Sequence, residues 1–189
     1  FDEGWQEHLR IDYGDLQWQD TGERLTEETF RSYREEGGIV IIHMMKPDWI
    51  EMGLKASHTM VASDGMPYAL GAHPRGAGTF SRFLGRYVRD EGTLSLMEGL
   101  RKMTLMPAQR LESISPQMTR KGRIQVGSDA DITIFDPSRI IDTATFEDDL
   151  SYSIGVEYVL VNGSFVVREG ENVDGARPGV PIVGRRIVF

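Results

Sequence analysis

Four side chains in the first half of this 189-residue chain are of types that do chemistry. They are the imidazoles of His43 and His73, the carboxylate of Asp64 and the guanidinium of Arg75. Asp64 follows a short apolar run, Met60-Val61-Ala62, and stands within Ser63-Asp64-Gly65. His73 and Arg75 lie on the loop behind it, which also carries Tyr68 as a lid residue without a defined role. His43 closes a second apolar run, Ile39-Val40-Ile41-Ile42. A buried parallel strand reads as a continuous apolar run, and in barrels of parallel strands the chemistry sits where strands end and loops begin. An acid at such a point is dry on one side and open to a ligand on the other. Arginine offers a planar fork that takes a carboxylate through two parallel bonds, which lysine cannot do. Plainer alternatives exist for each residue. Asp-Gly after a strand is an ordinary turn, a loop arginine is often only solvated, and a lone histidine is more often structural. Neither His43 nor His73 shows metal-ligand spacing, and His58 and His8 read as structural.

The elements that must carry these residues follow a βα rhythm. Residues 1–25 show no clean period, and the best expectation there is a short strand at Leu9–Ile11 and a loop. Thr26 precedes Glu27-Glu28, an N-cap with acids in the first turn, so a helix is predicted to Glu36, ending at Gly37-Gly38. The strand Ile39–Ile42 comes next, then a helix opened by Pro47-Asp48 and running from Trp49 to Ala56, then the strand Met60–Ser63. Helix, strand, helix, strand with short connections is the pattern of a parallel sheet. Thr79–Arg89 is amphipathic, with Phe80, Phe83, Leu84 and Val88 at helical spacing. Two more helices are expected over Leu94–Thr104 and Pro107–Ser113, the proline suiting a first turn.

Near Ser115 the period changes from helical to alternating. Gly122–Gly127 and Ala130–Asp136 alternate polar with apolar residues, and Val156–Gly163 with Ser164–Arg168 reads as a hairpin about Asn162-Gly163. Gly170–Gly179 is loop-like, and Gly184–Phe189 is a candidate last strand. The shift divides the chain into residues 1–114, α/β in character, and residues 115–189, all-β.

Bulk properties narrow the function classes. A net charge of −8 argues against nucleic acid as a partner, since phosphate binding needs a basic face. The absence of cysteine removes disulfides and thiolate ligands and leaves the compartment open, cytoplasmic being favoured over periplasmic. No apolar run is long enough to span a bilayer, and no signal peptide is evident, so no membrane partner is expected. The opening Phe1-Asp2-Glu3-Gly4-Trp5 reads as the inside of a longer protein.

Two sets of motifs carry a resemblance. Gly122-x-Ile-x-Val-Gly127-x-x-Ala130-Asp131-Ile-x-x-Phe-Asp136 and Val159-x-Val161-Asn162-Gly163-x-x-Val166 are similar to the paired signatures of the small β-sandwich that accompanies the amidohydrolase barrel. Ser63-Asp64-Gly65 followed by His73-Pro74-Arg75-x-x-Gly78-Thr79-Phe80 resembles the N-acyl-D-amino-acid deacylase branch of that superfamily, as do Asp142-Thr-Ala-Thr-Phe146 and Gly175-Ala-Arg-Pro-Gly179. The likeness runs from Gly37 to Gly179. It implies an α/β fold: the C-terminal part of a (β/α)8 TIM barrel over residues 1–114, joined to a β-sandwich over 115–189. Ile39–Ile42 would be the seventh barrel strand and Met60–Ser63 the eighth. Asp64 falls on the family's aspartate, a catalytic group and metal ligand. The family's His-x-His and later histidines have no counterpart here, and the chain is short against the family pattern between Gly22 and Gly38.

The activity so implied is metal-dependent hydrolysis of the amide bond of N-acyl-D-amino acids. One or two divalent ions, Zn²⁺ foremost, would be held mainly by residues outside this chain, and the remainder of the barrel would be its partner. Bound Zn²⁺ makes hydroxide available near pH ~7, and a rigid carboxylate can take the water's proton and return it to the departing amine. That role would fall to Asp64. Arg75 would clamp the substrate's free carboxylate, with His73 and His43 as further substrate-binding candidates at the same mouth. The same residues are compatible with a dihydroorotase- or hydantoinase-like cyclic amidase, a dipeptidase, or a non-catalytic module that kept the scaffold. Taken alone, the chain is expected to be inactive.

Overall fold

The computed structural model describes residues 4–65 and 73–184. Tyr68 and most of the proposed last strand, Gly184–Phe189, lie outside the described residues.

The first unit of packing is built on aromatic residues. Helix α1 (Trp5–Leu9) and a capped 3₁₀ turn at Tyr13–Asp15 lead into strand β1 (Leu16–Trp18). Helix α2 (Glu27–Glu36) begins at Thr26, whose hydroxyl accepts from the Thr29 amide, and ends at Gly37 with φ +80°, as the sequence predicts. Ile11, Leu16, Trp18 and Leu25 form the buried cluster, and Trp5, Phe30, Tyr33, Val40 and Met44 pack against it. Trp18 stacks on Tyr33 at 4.3 Å. The strand expected at Leu9–Ile11 is instead the end of α1 and a turn, because Arg10 takes a left-handed conformation, φ +56°, that breaks any ladder.

Strand β2 (Val40–Ile42) forms where the apolar run predicts it, but it pairs antiparallel with β1, Trp18 opposite Val40 and Leu16 opposite Ile42. Helix α3 (Pro47–Lys55) follows, with proline in its first turn. The segment Met60–Ser63, expected as a parallel strand, is extended coil. A strand exists only where a neighbour completes its ladder, and among the described residues the one backbone bond this run makes is from the Val61 amide to the Lys102 carbonyl, 3.2 Å.

Helix α4 (Arg75–Arg82) continues without a break as a wide π-helix, Phe83–Asp90. Phe83, Leu84 and Gly85 are its buried face. Helices α5 (Leu96–Met103) and α6 (Leu105–Leu111) stack behind it. The wide helix meets the second half of the chain closely at Ile140. A Cβ on Gly85 would lie 2.3 Å from the Ile140 carbonyl oxygen, so only glycine allows this approach. Arg89 Nη1 donates to the same carbonyl oxygen at 2.6 Å.

A 3₁₀ turn, Pro116–Arg120, leads to a four-stranded antiparallel sheet of β3 (Ile132–Phe135), β4 (Val156–Val161), β5 (Ser164–Arg168) and β6 (Glu171–Asn172), in that order. The β4–β5 hairpin turns on Asn162 and Gly163, φ +51° and +78°, the geometry that the dipeptide predicts. Gly122–Gly127 is not a strand: Ile124 is 89% and Val126 104% exposed, and nothing among the described residues pairs with them. The molecule is therefore a mixed α/β structure whose strands, among the described residues, form two open sheets and no closed barrel.

Candidate functional site

Asp64, His73 and Arg75 come together against β2. With Ile39–Ile42 and Gln19 they line a cavity of about 280 Å³. Its apolar lining is Ile39, Val40, Ile41 and Ile42. Its rim is polar because each neighbouring loop delivers a charged or hydrogen-bonding side chain.

The Asp64 loop is held by backbone geometry. Asp64 has φ +47°, a left-handed conformation that aspartate tolerates better than most residues. Gly65 lies so close to Gly76 that an added Cβ on Gly65 would sit 2.7 Å from the Gly76 Cα, so Gly65 has no room for a side chain, whereas a Cβ on Gly76 would meet nothing closer than 3.8 Å. That close approach sets the start of α4 beside Asp64. Arg75, the first residue of the helix, then bonds both ends of the aspartate: Nη2 lies 2.7 Å from Oδ2 and Nε donates to the main-chain oxygen at 3.1 Å. The Asp64 side chain is 84% exposed, against the expectation of an acid dry on one side. The reason is the missing strand ladder at Met60–Ser63, which leaves its outer flank uncovered.

The two histidines are held differently. His73 Nδ1 accepts from the Arg75 amide at 3.1 Å, which places its proton on Nε2 in the neutral ring. His43 Nε2 lies 2.8 Å from Oε1 of the buried Gln17, and the His43 amide donates to the Asp15 carbonyl at 2.9 Å. Both imidazoles have their pKa lowered. Burial is the main cause for each, assisted by the positive charge of Arg24 for His43 and of Arg75 for His73. Both are therefore neutral at physiological pH.

Phe146 joins them. Its ring stands edge-on to both imidazoles, with centroids 4.9 Å from each. Phe146 comes from the second half of the chain and enters the sequence reading only as part of the Asp142–Phe146 motif, with no function. Its neighbour Asp142 reaches α4, where Oδ2 takes Arg82 Nη1 at 3.1 Å and crowds the Gly78 backbone. Gln17 has no sequence signal, being one polar residue in a short strand. His43 does not line the same cavity as Asp64; it meets the site only through Phe146 and His73.

The described residues do not by themselves fit a metal ion. No group of three or more histidine, aspartate or glutamate side chains converges among them. Asp64 offers one carboxylate, and its Oδ2 is engaged by Arg75. What the arrangement can do chemically is hold two charges in fixed relation. A carboxylate that can take a proton stands next to a guanidinium with five donor hydrogens, of which the contacts to Asp64 use two.

Comparison with known proteins adds four findings. The profile of the amidohydrolase family matches residues 27–167. A D-aminoacylase of Alcaligenes xylosoxydans xylosoxydans is 38% identical over 135 residues, covering 71% of this chain and 27% of that protein. The chain thus spans about a quarter of the length of this curated relative. Among solved structures, a D-aminoacylase described as defining a novel subset of amidohydrolases superposes with a TM-score of 0.76 at 30% identity, over 94% of this chain and 39% of its own. The N-acyl-D-glutamate deacylase of Bordetella bronchiseptica, complexed with zinc and a phosphonate mimic of the tetrahedral intermediate, superposes with a TM-score of 0.68 at 28% identity, over 88% and 38%.

Proposed function

The chain belongs to the amidohydrolase family, and from that premise we propose that it supplies part of the active site of a metal-dependent deacylase of N-acyl-D-amino acids. The observation that carries this reading is the Asp64–Arg75 pair at the mouth of the β2 cavity. An N-acyl amino acid presents an amide to be cut and, one carbon away, a carboxylate to be held. The pair offers one group for each.

In this reading Arg75 takes the substrate carboxylate on donors that Asp64 does not use, through charge-assisted bonds. Sharing one guanidinium fixes the distance from the Asp64 carboxylate to the scissile amide. Asp64 accepts a proton from the attacking water as its oxygen bonds to the carbonyl carbon. It returns that proton to the nitrogen as the C–N bond breaks, giving a carboxylate and a free amine. The neutral His73 ring, fixed by the Arg75 amide, borders the same cavity with Nε2–H available to a substrate oxygen.

Zinc is bound in the Bordetella relative. Here a zinc ion would take most of its ligands from residues beyond this chain, with Asp64 as the local contribution. Bound there, it would supply activation of the attacking water. Residues 1–114 are proposed to be the last βα units of a barrel and 115–189 a sandwich contribution, completed by the rest of the polypeptide.

The test is to assay the full-length, zinc-loaded protein against paired N-acyl-D- and N-acyl-L-amino acids, with bound metal measured in parallel. Hydrolysis confined to the D series supports the reading. Hydrolysis of only cyclic amides or dipeptides, or of no substrate, overturns it.

A further inference from the structure

We infer that Lys102 is the positioning residue for Asp64. The structure joins them through an exceptional feature: a lysine 1% exposed, the largest of the fully buried side chains among the described residues. A lysine ammonium taken out of water is costly unless every proton finds an acceptor. Lys102 Nζ has three, the Ala56 carbonyl at 2.5 Å, the Thr59 carbonyl at 3.1 Å and Thr59 Oγ1 at 3.2 Å. All belong to the single turn that follows α3. Ala56 is the residue that ends that helix, where unsatisfied carbonyls and the helix dipole favour a cation. The Thr59 hydroxyl is itself tied back to α3, lying 2.6 Å from the Gly53 carbonyl oxygen and 2.8 Å from that of Ala56.

The turn so gripped leads directly into Met60–Ser63 and Asp64. That segment has no strand ladder, and its Val61 amide donates to the carbonyl of Lys102 itself. Side chain and main chain of one residue on α5 therefore fix the approach to Asp64 from behind. Arg75 fixes it from in front. Between these two clasps the backbone has few other restraints, so loss of the rear one lets Asp64 drift from the scissile amide. Small displacements of a catalytic group cost rate steeply, up to about 100-fold for 1 Å.

This inference rests on the reading of Asp64 as the proton carrier, and the experiment separates the two. In the full-length zinc-loaded protein, Lys102→Met is expected to lower kcat about tenfold or more with KM changed by less than about threefold. It is also expected to shift the acidic limb of the kcat pH profile and to speed hydrogen exchange at residues 60–64 but not in β4. Lys121→Met, which removes a lysine paired with Asp129 and Asp131 and not lining the cavity, is the control and is expected to leave kcat unchanged. Should Lys102→Met fail to fold, Thr59→Val, which deletes one acceptor, is expected to give the same pattern at smaller amplitude. Wild-type kcat and pH profile in a folded Lys102→Met protein, or in Thr59→Val if the first does not fold, overturn the inference. Inactivity of the wild type toward every N-acyl-D-amino acid overturns the deacylase reading instead, and exchange at residues 60–64 still decides whether Lys102 holds the segment.

Discussion

At the scale of single residues, the account rests on charges that hold one another in place. Arg75 fixes the Asp64 loop, and in the proposed function it also presents donors to a substrate carboxylate. Lysine would keep the charge but lose the planar fork. Arg75→Lys in the full-length protein is therefore expected to raise KM for N-acyl-D-amino acids at least about tenfold, the worth of one charge-assisted bond. Steady-state kinetics check it, and an unchanged KM removes the clamp. The histidines make a separate prediction. Their folded-state pKa values lie below the ordinary 6.5, so the unfolded chain binds more protons as pH falls through that value. Stability from their neutral forms is present above about pH 6.5 and declines below it. Denaturant titrations from pH 7.5 to 5 are expected to show a shallower decline for His73→Asn, whose amide oxygen can replace Nδ1 as acceptor without titrating. An identical slope contradicts the assignment. That Asp64, His73 and Arg75 come together at one cavity was legible in sequence because they lie close to one another along the chain. Lys102 was not, because a lysine in an amphipathic helix ordinarily faces water and only the packing of α3 turns it inward.

At the scale of elements, local chemistry predicts turns and caps better than strands. The Thr26 cap, the Pro47 first turn and the Asn162-Gly163 hairpin are all where the sequence reads them, since each is decided within a few residues. Met60–Ser63 and Gly122–Gly127 have the right composition for strands but lack partners, and pairing is a property of two segments. β2 found a partner, but the antiparallel one that the sequence did not suggest. The glycines test this division. Gly163→Ala meets nothing closer than 3.8 Å, so its cost is the backbone alone, about 1 kcal/mol. Gly85→Ala drives a methyl into the Ile140 carbonyl, 2.3 Å away, where backbone cannot yield cheaply, and about 3 kcal/mol is expected. Chemical denaturation of both variants checks the order. Equal costs would mean that the junction between the wide helix and Ile140 is softer than the structure shows.

At the scale of the whole molecule, the proposed function gives the chain one side of a site, and its described residues leave large apolar side chains exposed. Ile124, Val126, Met97 and Tyr152 are all more than two-thirds exposed, and the sheets are open at their edges. The 189 residues expressed by themselves are expected to self-associate as concentration rises and to show no deacylase turnover with added zinc, since the described residues gather no metal-binding group. Light scattering and an activity assay check both. A monomeric, active chain would contradict the division of the site proposed here. The family was legible from motifs spread between Gly37 and Gly179, whereas the two open sheets and the exposure of Asp64 follow from which strands are present to pair.

The most direct measurement compares turnover of an N-acyl-D-amino acid by full-length wild type and Asp64→Asn, with circular dichroism showing both folded. Asparagine keeps the shape and can still accept a bond from Arg75, but it cannot carry the proton. The account predicts a fall in kcat of at least about 100-fold, and kcat within a few-fold of wild type would contradict it.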